Sequence, residues 1–329
     1  MLASSNGGTM DSVDLAVLTS LNEWQNDGPC WLATVVGTFG SSPRPEGSML
    51  VLREDGAMTG SVSGGCVEDD LLLRAKEGRF PTDRAEILSY GATPEEAQRF
   101  SLPCGGSLRL VIEPVRNAEW VGKVLQTVNA RKKIMRTLHL DSSRVELSGD
   151  AGGFVFDGRI MRVMHGPRLR MLIIGANQTA AYLARMAQAL DYHVHVCDPR
   201  SGMRKTWDVP GTGFTGEMPD DAVMALDADE DTAIIALTHD PKLDDMALIE
   251  ALKSRAFYVG ALGSNANNAR RRERLALFDL SKDEIERLHG PVGLPIGSRT
   301  PPEIAVSILA HLISVRAGAD QSVVKEACS

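Results

Sequence analysis

Residues 168–198 read RLRMLIIGANQTAAYLARMAQALDYHVHVCD. The stretch falls into three parts: an apolar run from Met171 to Ile174, helical spacing from Ala180 to Leu190, and a second apolar run from His193 to Cys197. Strand, helix and strand at this spacing make a βαβ unit, whose two strands lie parallel. The rhythm continues downstream, where Ala233 to Leu237 and Tyr258 to Ala261 are apolar runs, each followed by a helical segment. The alternation predicts a Rossmann-like, doubly wound parallel sheet over residues 167–329.

Within that stretch, Gly175-Ala176-Asn177-Gln178-Thr179-Ala180 forms the turn from strand to helix. A dinucleotide site wants G-x-G-x-x-G, so that the backbone can approach a pyrophosphate at the helix N-terminus. Here Gly175 is kept and the second glycine is Asn177. Asn177 tolerates a left-handed backbone, but its side chain would crowd a phosphate. Asp198, closing the second strand, stands where a ribose-binding acid belongs. Weak or absent NAD(P) binding is expected, and the plain alternative is a sheet that kept its topology without the cofactor.

Further segments fall at the same carboxyl edge, where open α/β sheets hold ligands. Thr238-His239-Asp240-Pro241 follows one strand, and His239 there either joins a ligand site or bonds a loop carbonyl. Gly260 to Asn265 follows the next, and around Gly263 and Ser264 its small residues leave backbone N–H groups for an anion. The Arg270-Arg271-Arg272-Glu273-Arg274 run reads as a solvated helix face. Thr300 caps a helix with Pro301 at its first position and Glu303 completing a capping box. The helix that follows, Ile304 to Val315, is apolar nearly all round, so burial is expected, part of it in a homodimer interface.

The first half has no strict βα alternation, and a mixed α/β domain is expected over residues 1–116. Val13, Leu15, Val17, Leu18 and Leu21 fit an amphipathic helix. Trp31 to Val36, Met49 to Leu52 and Leu108 to Ile112 read as strands, with a turn at Glu54-Asp55-Gly56 and a helix from Val67 to about Lys76. Residues 117–166 are expected to be a connector with a helix around Trp120 to Val128 and a hairpin at Asp157-Gly158.

Composition narrows the function. The chain has 329 residues, 43% hydrophobic and 24% charged, which is ordinary for a globular protein of about two domains. A net charge of −8 disfavours a nucleic-acid footprint, and 8 Phe, 4 Tyr and 4 Trp disfavour a base-stacking surface. The N-terminal residues carry no secretory pattern, and the longest apolar run, Ile304 to Val315, is too short to span a bilayer. Five cysteines (30, 66, 104, 197, 328) form no CxxC pair, so neither a disulfide scaffold nor a metal site is expected, and the compartment is a reducing, cytoplasmic one.

Two of the five stand apart, because Cys66 follows Gly64-Gly65 and Cys104 precedes Gly105-Gly106. Flanking glycines leave a sulfur accessible, and a helix N-terminus would lower the Cys66 pKa, although Glu68, Asp69 and Asp70 oppose that shift. The competing explanation is a small buried cysteine.

These segments carry a resemblance. GTFGSSPRPEGSMLV (37–51), GSVSGGCVEDD (60–70) and CGGSLRLVIEP (104–114) resemble the N-terminal module of the xanthine dehydrogenase accessory factors, the XdhC/CoxI family. The pieces RLRMLIIGANQTAAYLARMAQAL, VCDPR, LTHDPKLDD, YVGALGSNANNARRRERL and PVGLPIGSRTPPEIAVSILAHL resemble its Rossmann-like module. The family turn is usually G-x-G-H, and this chain departs from it at Asn177 and Gln178. The resemblance implies a chaperone, without turnover of its own, that binds molybdenum cofactor transiently, protects it, supports its sulfuration and delivers it to an apo-molybdoenzyme. A cysteine desulfurase is the implied sulfur source. Cys66 and Cys104 match as the reacting thiols. Ser42, Arg44, Gly47, Ser63, Gly64, Gly65 and Gly105 match as cofactor-binding residues of the first module. Gly175, Asp198, Arg200, His239, Asp240, Gly263, Ser264, Gly297, Thr300 and Glu303 do so in the second. The alternative from another class is an NAD(P)-dependent oxidoreductase built on the C-terminal sheet.

Overall fold

Strand β1 (Cys30–Phe39) is buried along most of its length and organises the first of two units, 1–167 and 168–329, into which the chain divides. The computed structural model describes residues 9–39, 44–65, 67–91, 106–116 and 118–319. Along β1 the side chains alternate between two cores, as a strand covered on both faces requires. Cys30 and Leu32 share one with α1 (Ser12–Trp24) and the face of Val121, Val124 and Val128 on α3 (Glu119–Asn129). Trp31, Ala33 and Val35 share the other with Leu71 and Ala75 of α2 (Glu68–Lys76). The sheet runs β3 (Met58–Gly60), β2 (Met49–Arg53), β1, β5 (Ser107–Val115), β4 (Glu86–Tyr90), antiparallel throughout.

A second antiparallel sheet belongs to the same unit, in the order β7 (Arg144–Ser148), β6 (Ile134–His139), β9 (Ile160–His165), β8 (Val155–Phe156). The Asp157-Gly158 hairpin forms because Gly158 takes φ +90° and Asp157 Oδ1 accepts from the amides of Arg159 and Ile160. Residues 117–166 are built into this unit: Leu138 and Met161 pack with Val36 and Val111 of the first sheet.

The second unit is the expected doubly wound sheet. Its six strands run β12 (Gly213–Thr215), β11 (His193–Cys197), β10 (Arg170–Ile174), β13 (Thr232–Ala236), β14 (Tyr258–Ala261), β15 (Leu288–His289), and every pairing is parallel. Met171 and Ile173 of β10 face α4 (Gln178–Ala189) and α10 (Pro301–Arg316). Leu172 and Ile174 face α6 (Pro219–Leu226), α7 (Pro241–Lys253) and α8 (Asn265–Leu275). The short helices α5 (Met203–Thr206) and α9 (Lys282–Glu286) complete the unit. No described helix is long and apolar enough to cross a membrane.

Helix α10 turns Ser307, Ile308, His311 and Leu312 inward and leaves Val306 and Ile313, seven residues apart, 48% and 44% exposed. One expectation changes here: the arginine run is not a solvated face. Arg271 is 5% exposed, paired with Asp244 at 3.0 Å and Asp245 at 3.3 Å, while Arg272 donates to the carbonyls of Leu288 and Gly290. Arginine carries five donors, enough to tie a helix to several acceptors at once.

Candidate functional site

Glu68, at the first position of α2, folds its carboxylate back into the loop Ser61–Val67 and is 6% exposed. Oε1 accepts from the Ser61 hydroxyl at 2.7 Å and from the amides of Val62 and Ser63 at 3.0 Å. Oε2 accepts from the Ser63 hydroxyl, from Gly65 N–H at 3.0 Å and from Val67 N–H at 3.2 Å. Gly64 and Gly65 supply left-handed φ of 77° and 113°, which turns the amides inward. Burial alone would raise the Glu68 pKa; the Ser63 and Ser61 hydroxyls and the amides outweigh it and hold it at about 2.

This changes the reading of the loop. The Ser63 and Gly65 amides, expected for an anionic cofactor, are given to Glu68, and Gly64 N–H is given to the Ser61 hydroxyl at 2.9 Å. The acidic first turn is also partly neutralised, since Arg74 bonds Asp70 at 2.6 Å and Tyr90 bonds it at 2.8 Å. Cys66 itself, with Ser42, Cys104 and Gly105, lies outside the described residues.

Arg44 and Gly47 do come together. They line a small cavity of ≈ 70 Å³ with Asp11, Asp14, Glu46 and His165. Arg44 pairs with Asp11 at 3.6 Å and lies 4.0 Å from Asp14. His165 is 1% exposed, and its Nε2 has no hydrogen-bond partner among the described residues. Burial, then the charge of Arg136, depresses the imidazole pKa to about 3, so it is neutral. The space holds a few waters and is too small for a pterin.

In the second unit the turn that follows β10 is bonded within the protein. Gly175 takes φ +103°, and a Cβ there would stand 2.9 Å from the Thr238 backbone. Asn177 is not left-handed: at φ −95° it is the extended N-cap of α4, and its Oδ1 accepts from Ala180 N–H. Its Nδ2 donates to the Leu237 carbonyl at 2.5 Å. Asp198 is 1% exposed and accepts from Ala176 N–H at 2.8 Å and from Arg200 through Nε at 2.9 Å and Nη2 at 2.6 Å. Burial raises its pKa, but the Arg200 bonds outweigh that and leave it lowered.

The remaining residues divide between caps and exposed edges. His239 is exposed at φ +64°, an uncommon conformation for a non-glycine residue. Asp240 and Ser264 cap α7 and α8 by accepting from Lys242 and Asn267 amides. Glu303 accepts from the Arg299 and Thr300 amides at the start of α10, and Gly297, at φ +81°, lies in the loop before it. Gly263 takes φ +143° beside Asn268. Asp244 and His165 are structural partners that sequence reasoning missed, and Glu68 and Arg271 are ones whose roles it misread. Among the described residues, no cluster of three or more His, Cys, Asp or Glu is disposed to hold a metal.

Comparison with known proteins covers both units. Residues 23–91 match the XdhC and CoxI family, and residues 171–312 match the XdhC Rossmann domain. The chain is 31% identical over 293 residues to a protein of Escherichia coli K12 named molybdenum cofactor insertion chaperone PaoD, covering 87% of this chain and 83% of that one. It is 26% identical over 321 residues to a protein of Bacillus subtilis 168 described as a probable xanthine dehydrogenase component, covering 87% and 92%. A crystal structure described as a xanthine dehydrogenase from Bacillus halodurans superposes with a TM-score of 0.73 at 25% identity, over 95% of this chain and 98% of that one.

Proposed function

This chain belongs to the XdhC and CoxI family, and from that premise we propose that it is a molybdenum cofactor-binding accessory protein. It takes up the cofactor transiently, protects it, supports its sulfuration, and delivers it to an apo-enzyme of the xanthine dehydrogenase type. A cysteine desulfurase supplies the sulfur, and the protein acts in the cytoplasm as a homodimer. The cofactor is cargo, so no turnover is required of the chain itself.

One observation carries the site assignment. Glu68 commits the amides on both sides of position 66 to itself, through Gly65 and Val67. Backbone capture of an anion in this loop therefore has little support, and the thiol of Cys66 becomes its cargo-handling group. Soft thiolate is a suitable ligand for molybdenum and a suitable carrier of sulfur. Cys104 acts as the supporting thiol. An oxidoreductase using NAD(P) has less support, because Asn177 and Asp198 are bonded within the protein where the nucleotide would lie.

The test is a direct titration of the purified protein with molybdenum cofactor and, separately, with NAD(H). Retention of the cofactor through gel filtration, with no NAD(H) response, supports the proposal. Retention of NAD(H) alone overturns it. Removing the protein from its host and asking which molybdoenzyme loses activity identifies the client.

A further inference from the structure

An open cleft lies at the β15 edge of the second unit's sheet, two strands along from β13. Its volume is ≈ 870 Å³, and it is bounded by β15, residues 290–298, the start of α8 and one side of α10. That size is in the range of small-molecule sites. His289, His311, Asn265, Ser298, Arg272 and Glu286 line it.

Two rings, His289 and His311, line its wall, and the buried Tyr258 packs against both. His289 stacks on Tyr258 with centroids 4.3 Å apart and planes within 6°. His311 stands edge-on to both, at 5.3 Å from Tyr258 and 4.8 Å from His289. The Tyr258 hydroxyl and His311 Nδ1 are 3.0 Å apart. The strand cores of this unit are otherwise mainly aliphatic, and three polar rings are a costly way to fill space.

The surroundings hold this wall rigidly. Arg272 donates to the carbonyls on either side of His289, at 2.7 Å to Leu288 and 3.2 Å to Gly290. A Cβ on Gly290 would collide with Asn268 Oδ1, and one on Gly293 with Ser307 Oγ, so the rim is pressed against α8 and α10. Ser307 Oγ donates to the Leu294 carbonyl at 2.7 Å. Preorganised walls of this kind characterise binding sites.

We infer that this cleft binds a flat nitrogen heterocycle with hydrogen-bonding edges, packed against the His289–His311 wall. Asn265 and Ser298 offer polar groups for its edge, and the lining carries one charge of each sign, Arg272 and Glu286. A free pterin and a purine mononucleotide both have this chemistry, and each serves as a separate probe.

Calorimetric titration of the full-length protein with 6-hydroxymethylpterin and with GMP tests the assignment. Saturable binding of either probe is expected. Pterin binding alone makes the cleft a subsite for the proposed cargo, and GMP binding makes it a nucleotide site. His289→Ala should weaken binding about tenfold or more, the usual effect of removing a stacking ring. Ser298→Trp, in the loop lining the cleft, should obstruct it to a similar degree while leaving thermal unfolding unchanged. Cys66→Ser should leave binding of either probe intact, so failure of the thiol assignment and failure of this one are separately visible. The inference is overturned if neither probe binds the wild-type protein at millimolar concentration. Binding that survives Ser298→Trp undiminished, or disappears in Cys66→Ser, overturns it as well.

Discussion

Asn177 donates from Nδ2 to the Leu237 carbonyl at 2.5 Å while its Oδ1 accepts from the amide of Ala180 at 2.9 Å. One side chain thus caps α4 and joins the loops that leave β10 and β13. Those two central strands bound the place where an open α/β sheet opens its ligand crevice. With Gly175 pressed against Thr238, the join makes the turn a structural clasp.

The clasp predicts that the wild-type protein shows no micromolar NAD(P) binding by calorimetry. Asn177→Gly removes a hydrogen bond worth about 0.5–1.5 kcal/mol and a cap in which glycine costs only a few tenths. The variant should stay folded, and a gain of nucleotide binding would support the clasp. Micromolar NAD(P) affinity in the wild type would refute it.

The arginine run yields a sharper contrast between neighbours. Arg271 is buried against Asp244 and Asp245; Asp245 keeps Arg274 at 2.6 Å, but Arg271→Ala leaves the buried Asp244 without its cation and should cost about 3–5 kcal/mol. Arg270 is exposed, and Arg270→Ala should change stability by less than about 0.5 kcal/mol. Urea unfolding of the two variants checks this; equal effects would remove the distinction.

How much was legible in the sequence follows from where each signal lies. The strands Met171 to Ile174 and Ala233 to Leu237 were readable because a strand covered on both faces is apolar without interruption. β4 was not, since Ile87 is exposed at a sheet edge and the apolar pattern breaks there. β12 and β15 have three and two residues, too few for any period. Among the candidate site residues, Arg44 and Gly47 were named from the family motif, and the structure places both beside one small cavity. The clasp was read only as an obstacle to phosphate, because Leu237 lies 60 residues from Asn177. Glu68 was read as a charge opposing Cys66, since a sequence does not reveal that its carboxylate turns back onto Ser61–Val67.

Acid stability tests two buried groups over different windows. The Glu68 pKa is about 2 in the folded protein against 4.5 for a free carboxyl. Its stabilisation is complete above about pH 4.5 and is lost as the pH falls to about 2, amounting to about 3 kcal/mol. His165 titrates at about 3 when folded against 6.5 when free. The unfolded chain therefore takes up a proton that the folded chain refuses, and stability declines from about pH 6.5 down to about pH 3. Denaturant unfolding of the first unit should weaken already between pH 6.5 and 4.5, and His165→Gln should flatten that part of the curve. Glu68→Gln should destabilise at neutral pH by about 1–3 kcal/mol, with the difference from wild type vanishing near pH 2. An unchanged slope in His165→Gln would show that another group governs the upper window.

The cysteines separate by environment, and this makes the thiol assignment testable by substitution. Burial pushes the Cys30 thiol up to about 11 and the Cys197 thiol up to about 12, so neither offers thiolate at neutral pH. In the sequence Cys66 directly precedes Val67, the N-cap of α2, and Glu68, whose carboxyl is held ionised. Because that carboxylate is engaged by the loop's own amides and hydroxyls, its effect on the thiol should be muted. Cys66→Ser replaces one atom and should leave unfolding almost unchanged, while cofactor retention and client activation collapse. Cys104→Ser should weaken retention without abolishing it. Cys30→Ser and Cys197→Ser bury a hydroxyl in an apolar core, which costs about 1–3 kcal/mol and should lower stability before it touches retention. Gel filtration with bound molybdenum measured per chain reads all four variants at once. If Cys66→Ser held the cofactor and activated its client like wild type, the thiol would have no role. The cargo would then have to be held elsewhere, because the amides of Ser63, Gly65 and Val67 already belong to Glu68.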